Sequence, residues 1–159
     1  MSSRIEYTAA APRAFHAMLG LEKYVHNCGL EASLLELVKM RASQINGCAY
    51  CLDMHSKDAR AAGETEQRLY LLNAWRETTF YSERERAALA WTEAVTLVSE
   101  NHVPDDVYNQ TLQHFSEPEL VNLTLAIVAI NGWNRLAISF RSEAGAYQPG
   151  MNAAMAKKA

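Results

Sequence analysis

Two cysteines and a histidine fall within a stretch of nine residues, Gly47-Cys-Ala-Tyr-Cys-Leu-Asp-Met-His55. At about 100° of helix per residue, Cys48, Cys51 and His55 lie at roughly 0°, 300° and 340°, one stripe on one face. Cys51 and His55 are four apart, so imidazole and thiol come within hydrogen-bonding reach. Only the thiolate attacks an electrophile, and a neighbouring base or the positive end of a helix produces it. Gly47 marks a turn, which puts Cys48 in the first turn of the helix, where unpaired N–H groups favour negative charge. The spacing also lets the two sulfurs close a small disulfide after reaction.

Two other uses of these residues stay open at this level. A structural disulfide is one, although so short a loop constrains the unfolded chain very little. A zinc site is the other, since cysteine and histidine are correct ligands. A fourth ligand is not evident: His16, His26, His102 and His114 are isolated, and the remaining cysteine, Cys28, reads as a small hydrophobe on an amphipathic segment.

Glu36 is the next candidate. It stands among Leu34, Leu35, Leu37 and Val38 on the preceding helical segment, and it reads either as a solvated glutamate or as a carboxylate that orients His55. Asn131, Trp133, Asn134 and Arg135 interrupt an otherwise apolar run. Polar groups there must be hydrogen-bonded or line an interface or pocket, and Trp133 reads as core or as substrate platform.

The elements that must carry these residues are helical, and no stretch alternates as a strand would. The pattern predicts helices over residues 14–28 and 31–46, then from Cys48 to Ala62 with Gly63 as the left-handed cap. Thr65 caps a short helix through Leu72. Ser82-Glu-Arg-Glu85 is a capping box for a helix carrying Leu89 to Val98, and Pro104 opens a short one. Ser116-Glu-Pro-Glu119 opens the last, to about Phe140, apolar on so many faces that it must be central or shared between subunits. Beyond Arg141 the composition thins to alanine, glycine, proline and lysine, which predicts a loose tail over 142–159 after one domain over 1–141.

At 159 residues, 49% hydrophobic and 21% charged, the chain has the length and composition of one globular domain. A net charge of -3 with scattered basic residues gives no footprint for nucleic acid or an anionic membrane. The longest apolar run, Leu125–Ile130, is too short to span a bilayer. With no secretory signal pattern and an odd cysteine count, a cytoplasmic setting is expected.

The pattern Glu36-x11-Cys48-x2-Cys51-x3-His55 stands within LVKMRASQINGCAYCLDMHSKDARAAGE, followed by ERAALAWTEAVT and NGWNRLAISFR. Together these resemble the alkylhydroperoxidase AhpD-like family of the carboxymuconolactone decarboxylase superfamily. The likeness covers roughly residues 12–141. It implies an all-α fold, an AhpD-like helical core assembled as trimers or hexamers. It also implies peroxidase activity with no bound metal or other cofactor, in which a hydroperoxide oxidises a thiolate and a dithiol donor, thioredoxin-like or lipoyl, restores it. By the same resemblance Cys51 is the peroxidatic cysteine, Cys48 the resolving one, His55 the proton relay and Glu36 its supporting carboxylate.

One position departs. Where the prototype has a histidine just before its second cysteine, this chain has Tyr50; a phenol, with a pKa of about 10, donates a hydrogen bond but is no base near neutral pH. The lactone decarboxylase branch is not built on such a cysteine pair, so both cysteines together point to the redox branch. The rivals are a disulfide reductase or redox sensor on the same pair, a lyase acting on a lactone or other small acid, and a zinc-binding module.

Overall fold

Helix-forming runs punctuated by caps, glycines and prolines leave the chain a helical bundle as its natural solution. The computed structural model describes residues 2–151, and no strand occurs among them. The helices are α1 (Tyr7–Ala10), α2 (Pro12–His26), α3 (Ala32–Asn46), α4 (Ala49–Ala61) and α5 (Glu66–Tyr70), followed by a 3₁₀ segment at Leu72–Glu77. Then come α6 (Glu83–Thr96), α7 (Val98–Asn101), α8 (Asp105–Leu112) and α9 (Glu117–Phe140). Both capping boxes form, at Ser82 with Glu85 and at Ser116 with Glu119.

Two stretches differ from the periodic reading. The short helix after Thr65 stops at Tyr70 and gives way to the 3₁₀ segment. There Leu72 and Trp75, three apart, both turn into the core, which suits a helix with three residues per turn. The helix from Ser82 ends at Thr96, because the backbone leaves helical geometry at Leu97 before the separate turn of α7.

Helix α3 is the hub, packing on α4, α6 and α9. Its Leu34, Leu35 and Val38 join Val25, Trp91, Leu123 and Ile127 in one apolar cluster, and its Leu37 and Met40 join Leu69, Leu72, Trp75 and Leu89 in another. A third, smaller cluster gathers Ala42, Cys48, Cys51, Ile130 and Ala137, with Tyr50 and Trp133 against it. Helix α9 is long and apolar enough to cross a membrane by length and composition alone. Here it packs on α2, α3, α4, α6 and α8 and buries Leu120, Leu123, Ile127 and Ile130.

The segment after α9 differs from the loose tail that composition suggested. Tyr147 is buried and its hydroxyl donates to the Asp58 carboxylate at 2.8 Å, while Lys57 Nζ donates to the carbonyls of Gly145 and Tyr147. The Gly145 N–H donates to Asp53. One aromatic anchor and three side chains of α4 thus tie down a stretch whose small residues alone carry no packing signal. The rest of the expected tail, residues 152–159, lies outside the described residues.

Candidate active site

The site starts at the turn between α3 and α4. Gly47 adopts a left-handed conformation (φ 68°) and its N–H donates to the Gln44 carbonyl, while the Cys48 N–H donates to the Ser43 carbonyl. Glycine takes that conformation without the clash a Cβ would bring. The chain therefore leaves α3 and enters α4 within two residues. Cys48 is the N-cap of α4 rather than part of its first turn, and its sulfur accepts the Cys51 N–H at 3.4 Å. A disulfide joins Cys48 and Cys51, whose Cα atoms are 5.4 Å apart. Both cysteines are buried.

One turn beyond Cys51, His55 is buried on the same stripe of α4, with Ala59 a further turn on. The close hairpin brings α3 alongside, and Glu36 Oε2 lies 2.8 Å from His55 Nδ1. Burial alone would raise the Glu36 carboxyl. The hydrogen bond with His55 and the charges of His55 and Lys39 outweigh it and hold the group below the ordinary carboxylate range. An ionised carboxylate at Nδ1 keeps the proton on that nitrogen and leaves Nε2 as the ring's basic atom.

Behind Glu36 the polar structure continues. Lys39 Nζ lies 3.8 Å from Glu36 Oε1 and 2.5 Å from Glu22 Oε1, and the Trp133 indole N–H donates to Glu22 Oε2 at 3.1 Å. On the other flank Asp58 is raised, mainly by burial and despite the hydroxyl of Tyr147, with the negative charge of Glu36 adding to the shift. Among the described residues, no three His, Cys, Asp or Glu side chains converge as metal ligands. A surface cleft lined by Arg41, Gln44, Leu52, Leu69, Tyr70 and Asn73 contains none of these groups, so side-chain chemistry rather than concavity locates the site.

Residues 9–94 match the profile of the carboxymuconolactone decarboxylase family. The chain belongs to that family. Over 144 residues it is 45% identical to YdfG of Bacillus subtilis, an uncharacterized protein, covering 91% of this chain and 98% of YdfG. Among solved structures, it is similar to ATU0492 of Agrobacterium tumefaciens, a protein of unknown function named as a candidate AhpD of antioxidant defence. That likeness has 48% identity and a TM-score of 0.89, over 92% of this chain and 100% of the other. A shorter match, 36% identity over 63 residues, joins it to the alkyl hydroperoxide reductase AhpD of Bradyrhizobium diazoefficiens, covering 40% of this chain and 31% of that protein.

In this carboxymuconolactone decarboxylase family member, Cys48, Cys51, His55 and Glu36 come together at the α3–α4 hairpin. Tyr50 and Trp133 are half-buried against the two cysteines, and burial raises the Tyr50 phenol. Asn134 does not join them. It is fully buried, donates to Ser43 Oγ at 3.0 Å and accepts from Asn46 Nδ2 at 2.8 Å, fastening α9 to the last turn of α3. Glu22, Lys39, Asp58 and Tyr147 are polar neighbours that reading by motif passed over. A signal for Lys39 was present: a lysine three residues from Glu36, inside a run whose other positions are nearly all apolar.

Proposed function

We propose that the protein is a thiol peroxidase that reduces a hydroperoxide at Cys51 and resolves through Cys48. The observation that carries this reading is the 2.8 Å contact of Glu36 with His55, one helical turn beyond a cysteine paired with another. With Glu36 at Nδ1, the ring accepts the Cys51 thiol proton at Nε2. The thiolate attacks the terminal oxygen of the hydroperoxide, the O–O bond breaks, and the alkoxide takes a proton from the imidazolium to leave as alcohol. Cys51 is then a sulfenic acid. The Cys48 thiolate attacks that sulfur, the S–O bond breaks, and hydroxide leaves as water once protonated. An external dithiol, thioredoxin-like or lipoyl, reduces the disulfide by exchange and becomes a disulfide itself.

The AhpD relative and the AhpD-named structural neighbour support a redox reading over a lyase. Assembly as a trimer or hexamer fits the same reading, because Val121, Val128 and Ile138 leave part of α9 apolar and exposed. The test is a panel of hydroperoxides assayed with several dithiol donors, reading peroxide consumption and protein thiols by mass. Turnover of one peroxide per disulfide formed is the expected result. Disulfide exchange with no peroxide consumed would make the protein a disulfide reductase instead.

A further inference from the structure

Lys39 is a charged residue in a place built for an apolar one. It sits on α3 between Val38 and Met40 with 6% of its surface exposed. A buried ammonium is costly unless it is paired, and replacing a buried ion pair by apolar residues is often neutral or stabilising. Packing alone therefore gives no reason to keep this cation.

Its surroundings supply one. The two oxygens of Glu36 are divided, Oε2 to His55 Nδ1 at 2.8 Å and Oε1 facing Lys39 Nζ at 3.8 Å. Glu22 closes the far side of the ammonium at 2.5 Å, and its second oxygen accepts the indole N–H of Trp133, a residue packed against the cysteine cluster. The result is a row in which acidic and basic side chains alternate, contributed by three helices: Glu22 on α2, Lys39 and Glu36 on α3, and His55 on α4. Other titratable groups facing it are His26 from α2, Asp58 from α4, and Tyr147 from the segment after α9.

We propose that Lys39, held by Glu22, is a positioning residue for the thiol chemistry: its cation keeps Glu36 ionised and thereby sets the pH at which the His55–Cys51 pair gives up the thiol proton. The inference rests on His55 handling that proton and not on peroxide being the oxidant. Without the cation, half-buried Glu36 takes up a proton more readily and His55 loses its anionic partner, so the ring is a weaker base and the thiol holds its proton to higher pH. Removing the anion at Glu22 strengthens the field of Lys39 at the site, so the thiol loses its proton at lower pH.

The experiment measures alkylation of Cys51 by iodoacetamide against pH, on reduced protein carrying Cys48→Ser, with modified peptides read by mass. Lys39→Met moves the midpoint up by about one unit, equivalent to about tenfold slower alkylation below both midpoints, and Glu22→Gln moves it down. Circular dichroism checks that each variant is folded. Glu22→Gln keeps the shape of the side chain and leaves Lys39 paired with Glu36, so its downward shift decides the matter if Lys39→Met does not fold. A Glu22→Gln profile that superimposes on the parent, or two shifts of the same sign, overturns the proposal and makes the pair a packing device. Because alkylation consumes no peroxide, opposite shifts in a protein that reduces no hydroperoxide would uphold this inference and dispose of the peroxidase reading alone.

Discussion

Glu36 and His55 are nineteen residues apart in sequence and 2.8 Å apart in space, joined because Gly47 and Cys48 turn α3 directly into α4. The carboxylate fixes which ring nitrogen carries the proton. Glu36→Gln keeps the shape and loses the charge, so the fold should persist while peroxide oxidation of the thiols slows by about 100-fold or more. Stopped-flow measurement of thiol loss in variant and parent checks this, and equal rates would return Glu36 to a structural role.

The two cysteines should separate cleanly. Cys48→Ser should still consume one equivalent of peroxide and leave a sulfenic acid on Cys51 that dimedone traps, whereas Cys51→Ser should hardly react. The opposite pattern would assign attack to Cys48. Serine is the right replacement at 48, since the side chain there caps α4; Cys48→Ala should cost about 1 kcal/mol more in a denaturant titration.

Acid should unfold the protein through specific groups. The carboxyls of Glu22, Glu36 and Glu93 are lowered in the fold because hydrogen bonds and nearby cations outweigh burial. Glu119 is lowered to about 2, chiefly by the Ser116 N–H and hydroxyl and by Arg84. A group lowered in the folded state binds more protons when unfolded, so its stabilisation is present above the ordinary value of 4.5 and is lost as pH falls through the folded value. Asp58, raised in the fold, contributes with the opposite sign. The thermal midpoint should therefore fall steadily below about pH 5, less steeply in Glu119→Gln. A midpoint flat down to pH 3 would contradict this.

The exposed apolar positions of α9 should hold copies together. Val121 and Val128 are 60% and 49% exposed and lie two turns apart on one face. Light scattering at micromolar concentration should give a trimer or hexamer, and Val121→Glu with Val128→Glu should reduce it to monomer without loss of helix. A monomeric parent would refute the assembly.

Much of this was legible beforehand because helical signals are local. Gly47, Thr65, Ser82, Ser116 and Gly63 each act on the residues beside them, and the helices begin or end where they stand. The stripe of Cys51 and His55 followed from spacing alone. Residues whose meaning depends on distant partners were not legible. Asn134 reads as a polar group that must be hydrogen-bonded or line an interface or pocket, and only the meeting of α9 with the end of α3 identifies its partners, Ser43 and Asn46. Glu22 stands seventeen positions before the lysine it pairs with, and no periodicity connects the two. Tyr147 lay in a stretch of small residues, and its partner Asp58 is on a helix eighty-nine positions earlier.

That last contact decides how short the protein can be cut. A chain engineered to stop at Arg141 would keep every helix from α1 to α9 and still strip α4 of its outer partners, leaving Lys57 without two carbonyl acceptors and Asp58 without the hydroxyl it faces. Asp58 shares its electrostatic surroundings with Glu36 and His55. A shortened fragment should therefore extend beyond Tyr147 to keep these contacts, and a fusion partner placed at Arg141 should displace the segment that makes them.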